Sequence, residues 1–161
     1  MKKLVVYYSF EGNTKFIAEV VANALGADIL ELKPAKEIST HGFMKYFWGG
    51  KQVFMKEKPE LLPFSKDPGY YDAIVIGTPV WSFTFSPPIG TFFSKAKLSG
   101  KKTALFCSHS GGMKKTLEDM KKKLEGNEFI GEADFVDVLK NKDENLKKAA
   151  DWAKKLNESL A

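Results

Sequence analysis

At 161 residues, 43% of them hydrophobic and 28% charged, the chain has the size and composition of one soluble globular domain with a real core. No apolar run approaches the ~20 residues of a membrane span, and the run after Lys2 and Lys3 is too short for a signal sequence and lacks a small-residue cleavage site, so no membrane partner is expected and the cytoplasm is the expected location. Cys107 is the sole cysteine, which rules out an internal disulfide, and a net charge of +5 permits anionic partners.

Leu4 to Tyr8 is an apolar run that reads as the first strand. It enters a loop, Ser9 to Thr14, that opens into a helix over Thr14 to Leu25 with Ile17, Val20, Val21 and Leu25 on one face. Gly26 fits the helix C-terminus. Asp28 to Leu32 reads as a second strand that Pro34 ends. Lys33 to Tyr71 is a long crossover. A helix is expected within His41 to Met55, where Phe43, Met44, Phe47, Trp48 and Phe54 cluster, with Gly49-Gly50 as a break or kink. Pro59, Pro63, Pro68 and Gly69 make the remainder extended.

Asp72 to Gly77 is a nearly continuous apolar run, as in a parallel strand buried on both faces. A loop rich in aromatic and small residues leads to a helix over Pro88 to Lys97. Lys102 to Cys107 reads as the fourth strand, and a helix is expected over Met113 to Leu124. In that helix Lys114, Lys115 and Lys121 to Lys123 alternate with Leu117, Met120 and Leu124 at helical spacing. That is the pattern of a solvated face, so no nucleic acid is expected as a partner. Glu132 to Leu139 contains the fifth strand, and Asp143 to Leu160 is a final amphipathic helix.

Five strands alternating with helices imply one α/β domain over residues 1–161, a parallel sheet with helices on both faces. Ligands in such sheets bind beyond the carboxyl ends of the strands. The loops after strands one, three and four should therefore converge. The first joins a strand to a helix N-terminus, where backbone N–H groups lack partners and the helix dipole favours anions. Ser9 and Thr14 add hydroxyls. The loop has neither GxxxxGK[ST] nor GxGxxG, so it suits a phosphomonoester better than a nucleoside triphosphate or dinucleotide. It also fits a plain strand-to-helix turn. The second loop carries Trp81, which offers a flat face to a ring or packs in the core beneath the loop. The third, Ser108 to Gly112, ends in Gly111-Gly112, which allows close backbone approach to a ligand. Its His109 reads as a neighbour of a bound ring or as a surface polar residue. A ring-bearing phosphomonoester satisfies all three loops.

Tyr8-Ser9-Phe10-Glu11-Gly12-Asn13-Thr14-Lys15, then Gly77-Thr78-Pro79-Val80-Trp81, then Gly111-Gly112, resemble the short flavodoxins in residue type, order and placement. The resemblance covers nearly the whole chain. It implies a flavodoxin-like three-layer sandwich, a five-stranded parallel sheet of order 2-1-3-4-5, and non-covalent FMN. By that resemblance Ser9, Phe10, Glu11, Gly12, Asn13 and Thr14 bind the phosphate, and Thr78 and Pro79 lie along the ribityl chain. Trp81, supported by Val80, covers one face of the isoalloxazine. Ser108, His109, Ser110, Gly111 and Gly112 border its pyrimidine end.

The chain departs from the family pattern at several points. Glu11 replaces the middle threonine of the phosphate loop, so its side chain is expected to face solvent. Ser82 stands where many flavodoxins have a glycine whose peptide flips toward the reduced flavin, and a Cβ opposes positive φ there. The third loop lacks the tyrosine that stacks on the second flavin face in many relatives. The chain is basic where electron-transfer flavodoxins are usually acidic.

The resemblance implies a low-potential electron carrier that works with redox partner proteins, a reductase or ferredoxin-linked enzymes, as a monomer or weak dimer. The alternative is an FMN-dependent NAD(P)H:quinone or small-acceptor reductase, with the aromatic crossover covering a substrate or forming an interface. No catalytic acid–base pair and no metal site are expected. A phospho-receiver module is disfavoured, because strand one ends in Tyr8-Ser9, strand three ends in Gly77-Thr78, and Asp72 lies at the wrong end. A domain that has lost its ligand is the remaining reading.

Overall fold

The computed structural model describes residues 1–36 and 58–161. The helix expected within His41 to Met55, with its aromatic cluster, lies outside the described residues. Among the described residues five strands run parallel: β1 (Lys3–Tyr7), β2 (Asp28–Glu31), β3 (Ala73–Trp81), β5 (Lys102–His109) and β6 (Glu128–Val136). A two-residue strand, β4 (Thr84–Phe85), pairs antiparallel with the end of β3. The order β2-β1-β3-β5-β6 is the expected parallel order once that short partner is numbered in. The α-helices among the described residues are α1 (Asn13–Leu25), α2 (Pro87–Lys95), α3 (Thr116–Lys122) and α4 (Lys142–Leu160).

The period-2 alternation of β1 divides the core between the two faces of the sheet. Leu4, Val6 and Tyr8 pack with Ile74, Ile76, Ile89, Phe92 and Met120, beneath α2 and α3. Val5 and Tyr7 pack with Ile17, Val21, Phe106, Phe135 and Trp152, beneath α1 and α4. Burial pushes the Tyr7 hydroxyl far above its usual range, helped by the nearby Glu31 and Glu19 carboxylates. Gly26 ends α1 in the left-handed region at φ 60°, as its position predicts.

Three elements differ from the sequence reading by three residues or more. The strand β3 runs past Gly77 to Trp81, because β4 gives Val80 and Trp81 a hydrogen-bonding partner. Gly77 is a packing glycine and not a strand end, since a Cβ there would lie 2.0 Å from the Phe106 ring. Helix α3 starts at Thr116 and not at Met113, because Lys114 sits at φ 49°, outside helical geometry. The last strand starts at Glu128, four residues earlier than expected. Glu128, Gly131, Glu132 and Asp134 interrupt its apolar pattern, which an edge strand tolerates. A bulge between Thr103 and Ala104 sets its register, and Gly131 admits α4, whose Leu156 Cδ2 would lie 2.9 Å from a Cβ.

Candidate functional site

Beyond the carboxyl ends of β1, β3 and β5 lies an open pocket of about 470 Å3, lined by residues of the three loops that the sequence singles out. Its volume lies in the range of small-molecule and cofactor sites, roughly 300–1,000 Å3.

The first loop is built around Ser9. Its Oγ accepts from the Gly12 N–H at 3.2 Å and the Lys15 N–H at 3.1 Å, which caps α1 and leaves the hydroxyl proton to donate elsewhere. Gly12 turns the chain at φ 101°, a conformation that strains any residue with a Cβ. It does not line the pocket wall. The Asn13 Oδ1 accepts from the Leu139 N–H at 3.1 Å and ties the loop after β6 to the head of α1. Thr14 is almost fully buried, and its hydroxyl meets that of Ser108 at 2.7 Å, so the first and third loops share one polar floor. Glu11 is exposed on the rim. The first turn of α1 holds no acidic side chain.

Phe10 contributes its ring to the same pocket. It packs nearly perpendicular to Trp81 with centroids 5.2 Å apart, and Tyr8 does the same at 5.7 Å. Edge-to-face pairs of this kind contribute about 0.5–1.5 kcal/mol beyond area burial and fix the tilt of the indole. Trp81, Val80 and Pro79 line the pocket, and so does Ser82, which the sequence reading left out of the site. Thr78 does not. Its Oγ1 accepts from the Ser86 N–H at 3.0 Å and donates to the Pro79 carbonyl at 2.8 Å, bracing the base of the Trp81 hairpin. The repeated small and hydroxyl residues from Thr78 to Ser86 were the available signal for that brace.

The hairpin itself corrects the expectation for Ser82. Trp81 pairs with Thr84, and the two residues between them, Ser82 at φ 46° and Phe83 at φ 72°, both occupy the left-handed region. That is the backbone of a two-residue primed turn, which matches strand twist and normally selects Asn-Gly. Each non-glycine residue there costs about 1–2 kcal/mol. Surrounding contacts hold the turn: Thr84 Oγ1 donates to Asp119 Oδ2 at 2.8 Å, and Lys114 Nζ lies 5.9 Å from the Phe83 ring centroid. Ser82 thus already occupies the positive φ that its Cβ was expected to oppose.

The third loop is closed by its histidine. His109 Nε2 lies 2.7 Å from Asp134 Oδ2, and His109 Nδ1 accepts from the Gly112 N–H at 2.9 Å. Ser110 and Gly111 line the pocket, whereas Gly112, at φ 108°, turns the chain away from it. Asp134 was missed by the sequence reading. Its signal was a carboxylate inside a strand otherwise destined for the sheet.

Among the described residues no group of three or more His, Cys, Asp or Glu side chains is arranged to hold a metal, and no helix is long and apolar enough to cross a membrane. Hydroxyls at the floor, a helix N-terminus on one side and an indole on the other define a doubly wound α/β protein built to hold a flat ring that carries an anionic tail.

The chain belongs to the flavodoxin family, whose model matches residues 2–155. Comparison with curated proteins returns no match. Among solved structures, the chain is similar to a flavoprotein from Lactobacillus acidophilus determined in complex with FMN. The identity is 25%, the TM-score 0.71, and the match covers 86% of this chain and 96% of that one. A flavodoxin from the domain Archaea matches at 17% identity and a TM-score of 0.62, over 99% of each chain. Oxidised flavodoxin 2 from Bacillus cereus matches at 18% identity and a TM-score of 0.64, again over 99% of each chain. These last two likenesses speak to the fold alone.

Proposed function

We propose that the protein is an FMN-binding electron carrier of low potential that exchanges electrons with partner proteins, a reductase on one side and ferredoxin-linked enzymes on the other. One observation carries the reading: a buried hydroxyl pair, Thr14 and Ser108, and an indole braced by two other rings, Trp81, face one cavity of cofactor size. FMN needs that combination, a polar end for its phosphate and a flat apolar wall for its ring. When bound, FMN supplies the redox chemistry, and the protein supplies binding, orientation and electrostatics.

Ser9 to Thr14 would hold the phosphate. The Ser9 hydroxyl proton and the Asn13 and Thr14 amides of α1 would donate to it, the Lys15 amide being held by Ser9 Oγ, and the helix dipole favours its charge. Thr14 and Ser108 share one hydrogen bond between two hydroxyls, so one hydroxyl proton stays available to the ligand. Glu11 is exposed on the rim, where solvent screens its charge from the phosphate. Pro79, Val80 and Trp81 would flank the ring and exclude water from that face, and Ser108 to Gly111 would border its polar end. A basic chain relaxes the electrostatic opposition to adding negative charge to the ring. The reduction potential of bound FMN should therefore be less negative than in acidic flavodoxins.

The test is a titration of the apoprotein with FMN, followed by flavin fluorescence, and then steady-state NAD(P)H oxidation with a quinone. Quenching at micromolar FMN or below, with slow turnover unless a reductase is added, is the expected result. Rapid turnover without a reductase would transfer the assignment to an NAD(P)H:quinone or small-acceptor reductase. No quenching at micromolar FMN would remove the flavin assignment altogether.

A further inference from the structure

We propose that His109 and Asp134 are a positioning pair that presents the Ser110 and Gly111 peptide groups to the ring end of the pocket; the proposal rests on the reading of that pocket as a flavin site. His109 ends β5, and Cys107 lies opposite Asp134 on β6. This places the Asp134 carboxylate beside the imidazole, whose side chain is only 8% exposed. A carboxylate only accepts, so the 2.7 Å contact requires a proton on Nε2. A backbone amide only donates, so the 2.9 Å contact from Gly112 requires a lone pair on Nδ1.

One ring form meets both demands, the neutral imidazole protonated at Nε2. The other neutral tautomer meets neither. Asp134 therefore selects the tautomer, and the tautomer holds Gly112. Lys148 of α4 anchors Asp134 in turn, with Nζ 3.9 Å from Oδ1 and a hydrogen bond to the Asp134 carbonyl.

The bond from Gly112 back to His109 closes a tight turn. Gly112 at φ 108° completes it, and the two residues in between, Ser110 and Gly111, emerge on the pocket wall. Among the described residues their amides have no protein partner. Both nitrogens of His109 are committed within the protein, so the ring acts through the loop, and Asp134 acts through the ring. Neither nitrogen is left to bond a ligand in this arrangement.

The pair is tested by long-range 15N spectra of the His109 ring in the apoprotein, together with FMN and riboflavin dissociation constants for the wild type, Asp134→Asn, His109→Ala and His109→Asn. The asparagine variant keeps an oxygen close to the place of Nδ1. The expected spectrum is that of the Nε2-protonated tautomer. Asp134→Asn and His109→Ala should weaken FMN and riboflavin by the same factor, about tenfold, because the loop serves the ring and not the phosphate. His109→Asn should recover most of the loss. The opposite tautomer in the wild type would overturn the proposal, as would unchanged affinity in both Asp134→Asn and His109→Ala, or a loss confined to FMN. Failure of the wild type to bind either flavin would instead overturn the flavin reading, and the pair's role with it, even if the tautomer were found as expected.

Discussion

The hydroxyls of Thr14 and Ser108, 94 positions apart in the chain, meet at 2.7 Å inside the protein. One sits in the first turn of α1 and the other near the end of β5, so this contact joins the loop proposed for the phosphate to the loop proposed for the ring.

Replacing Thr14 with valine keeps the shape and removes the hydroxyl. It leaves Ser108 buried without its partner, at a cost of about 1–3 kcal/mol in stability. It also removes a donor from the phosphate end, so FMN affinity should fall about tenfold or more while riboflavin affinity changes little. Thr14→Ser should preserve both. Denaturant titration and fluorescence quenching give the two readouts. Equal losses for the two flavins would mean that Thr14 has no role toward the phosphate.

The Ser82–Phe83 turn stores backbone strain beside Trp81. Exchanging the pair for Asn-Gly supplies the residues that this primed turn prefers. Phe83 is 70% exposed, so little burial is lost, although the contact with Lys114 goes. The double variant should gain about 1 kcal/mol, which for a chain of this size raises Tm by roughly 2–4 °C. A lower Tm would mean that the Phe83 side chain stabilises the hairpin by more than its backbone strain costs.

Gly77 and Phe106 make a complementary case in the core. A methyl group at Gly77 would fall 2.0 Å from the Phe106 ring, which lies across the strand. Both residues are fully buried in the sheet, so little can yield. Gly77→Ala should destabilise by about 3 kcal/mol, as overpacking of a filled core does. Adding Phe106→Leu should recover part of that cost, a coupling that a double-mutant cycle measures. Additive losses would show that the glycine serves some need other than room for the ring.

These relationships differ in how far the sequence reveals them. That the sheet is parallel was legible because helical and strand periodicities alternate along the chain, whereas its strand order came from the resemblance to the short flavodoxins. The pocket loops were legible because Ser9, Trp81 and Gly111 lie at or just beyond the ends of strands whose carboxyl ends must lie together. The roles inside that cluster were not. Thr78 has the same chemistry as Thr14, yet it faces Ser86 and braces a hairpin. The hairpin was hidden because Ser82 and Phe83 are not the residues a primed turn selects, and only their pairing context imposes positive φ. Asp134 could be matched to His109 only once the bulge in β6 had fixed the register. Composition and periodicity report which face a residue occupies. They do not report which of several hydroxyls or carboxylates ends up within hydrogen-bonding distance of another.

Cys107 gives a prediction of the opposite kind, one that depends on burial alone. The thiol is fully buried in the strand behind the pocket, and burial pushes its pKa up from 9.0 to about 12, with Asp134 and Glu132 adding to the shift and Lys148 opposing it. The folded state thus keeps a proton that the unfolded chain releases above pH 9. The contribution to stability is complete below pH 9 and is lost as the pH rises from 9 toward 12, at about 1.4 kcal/mol per unit within that window. Cys107→Ala removes the titrating group while leaving the lysines and tyrosines that also titrate there. The stability advantage of the wild type over Cys107→Ala, measured by urea denaturation, should be constant from pH 6 to pH 8. It should shrink by more than 1 kcal/mol by pH 10 to 10.5 and then reverse. A thiol-specific reagent should likewise fail to label the folded protein at pH 8 and react on unfolding, since the thiolate is the nucleophile. A stability difference that stays constant to pH 10.5 would show that the folded protein accommodates the thiolate, for instance by admitting water to the strand.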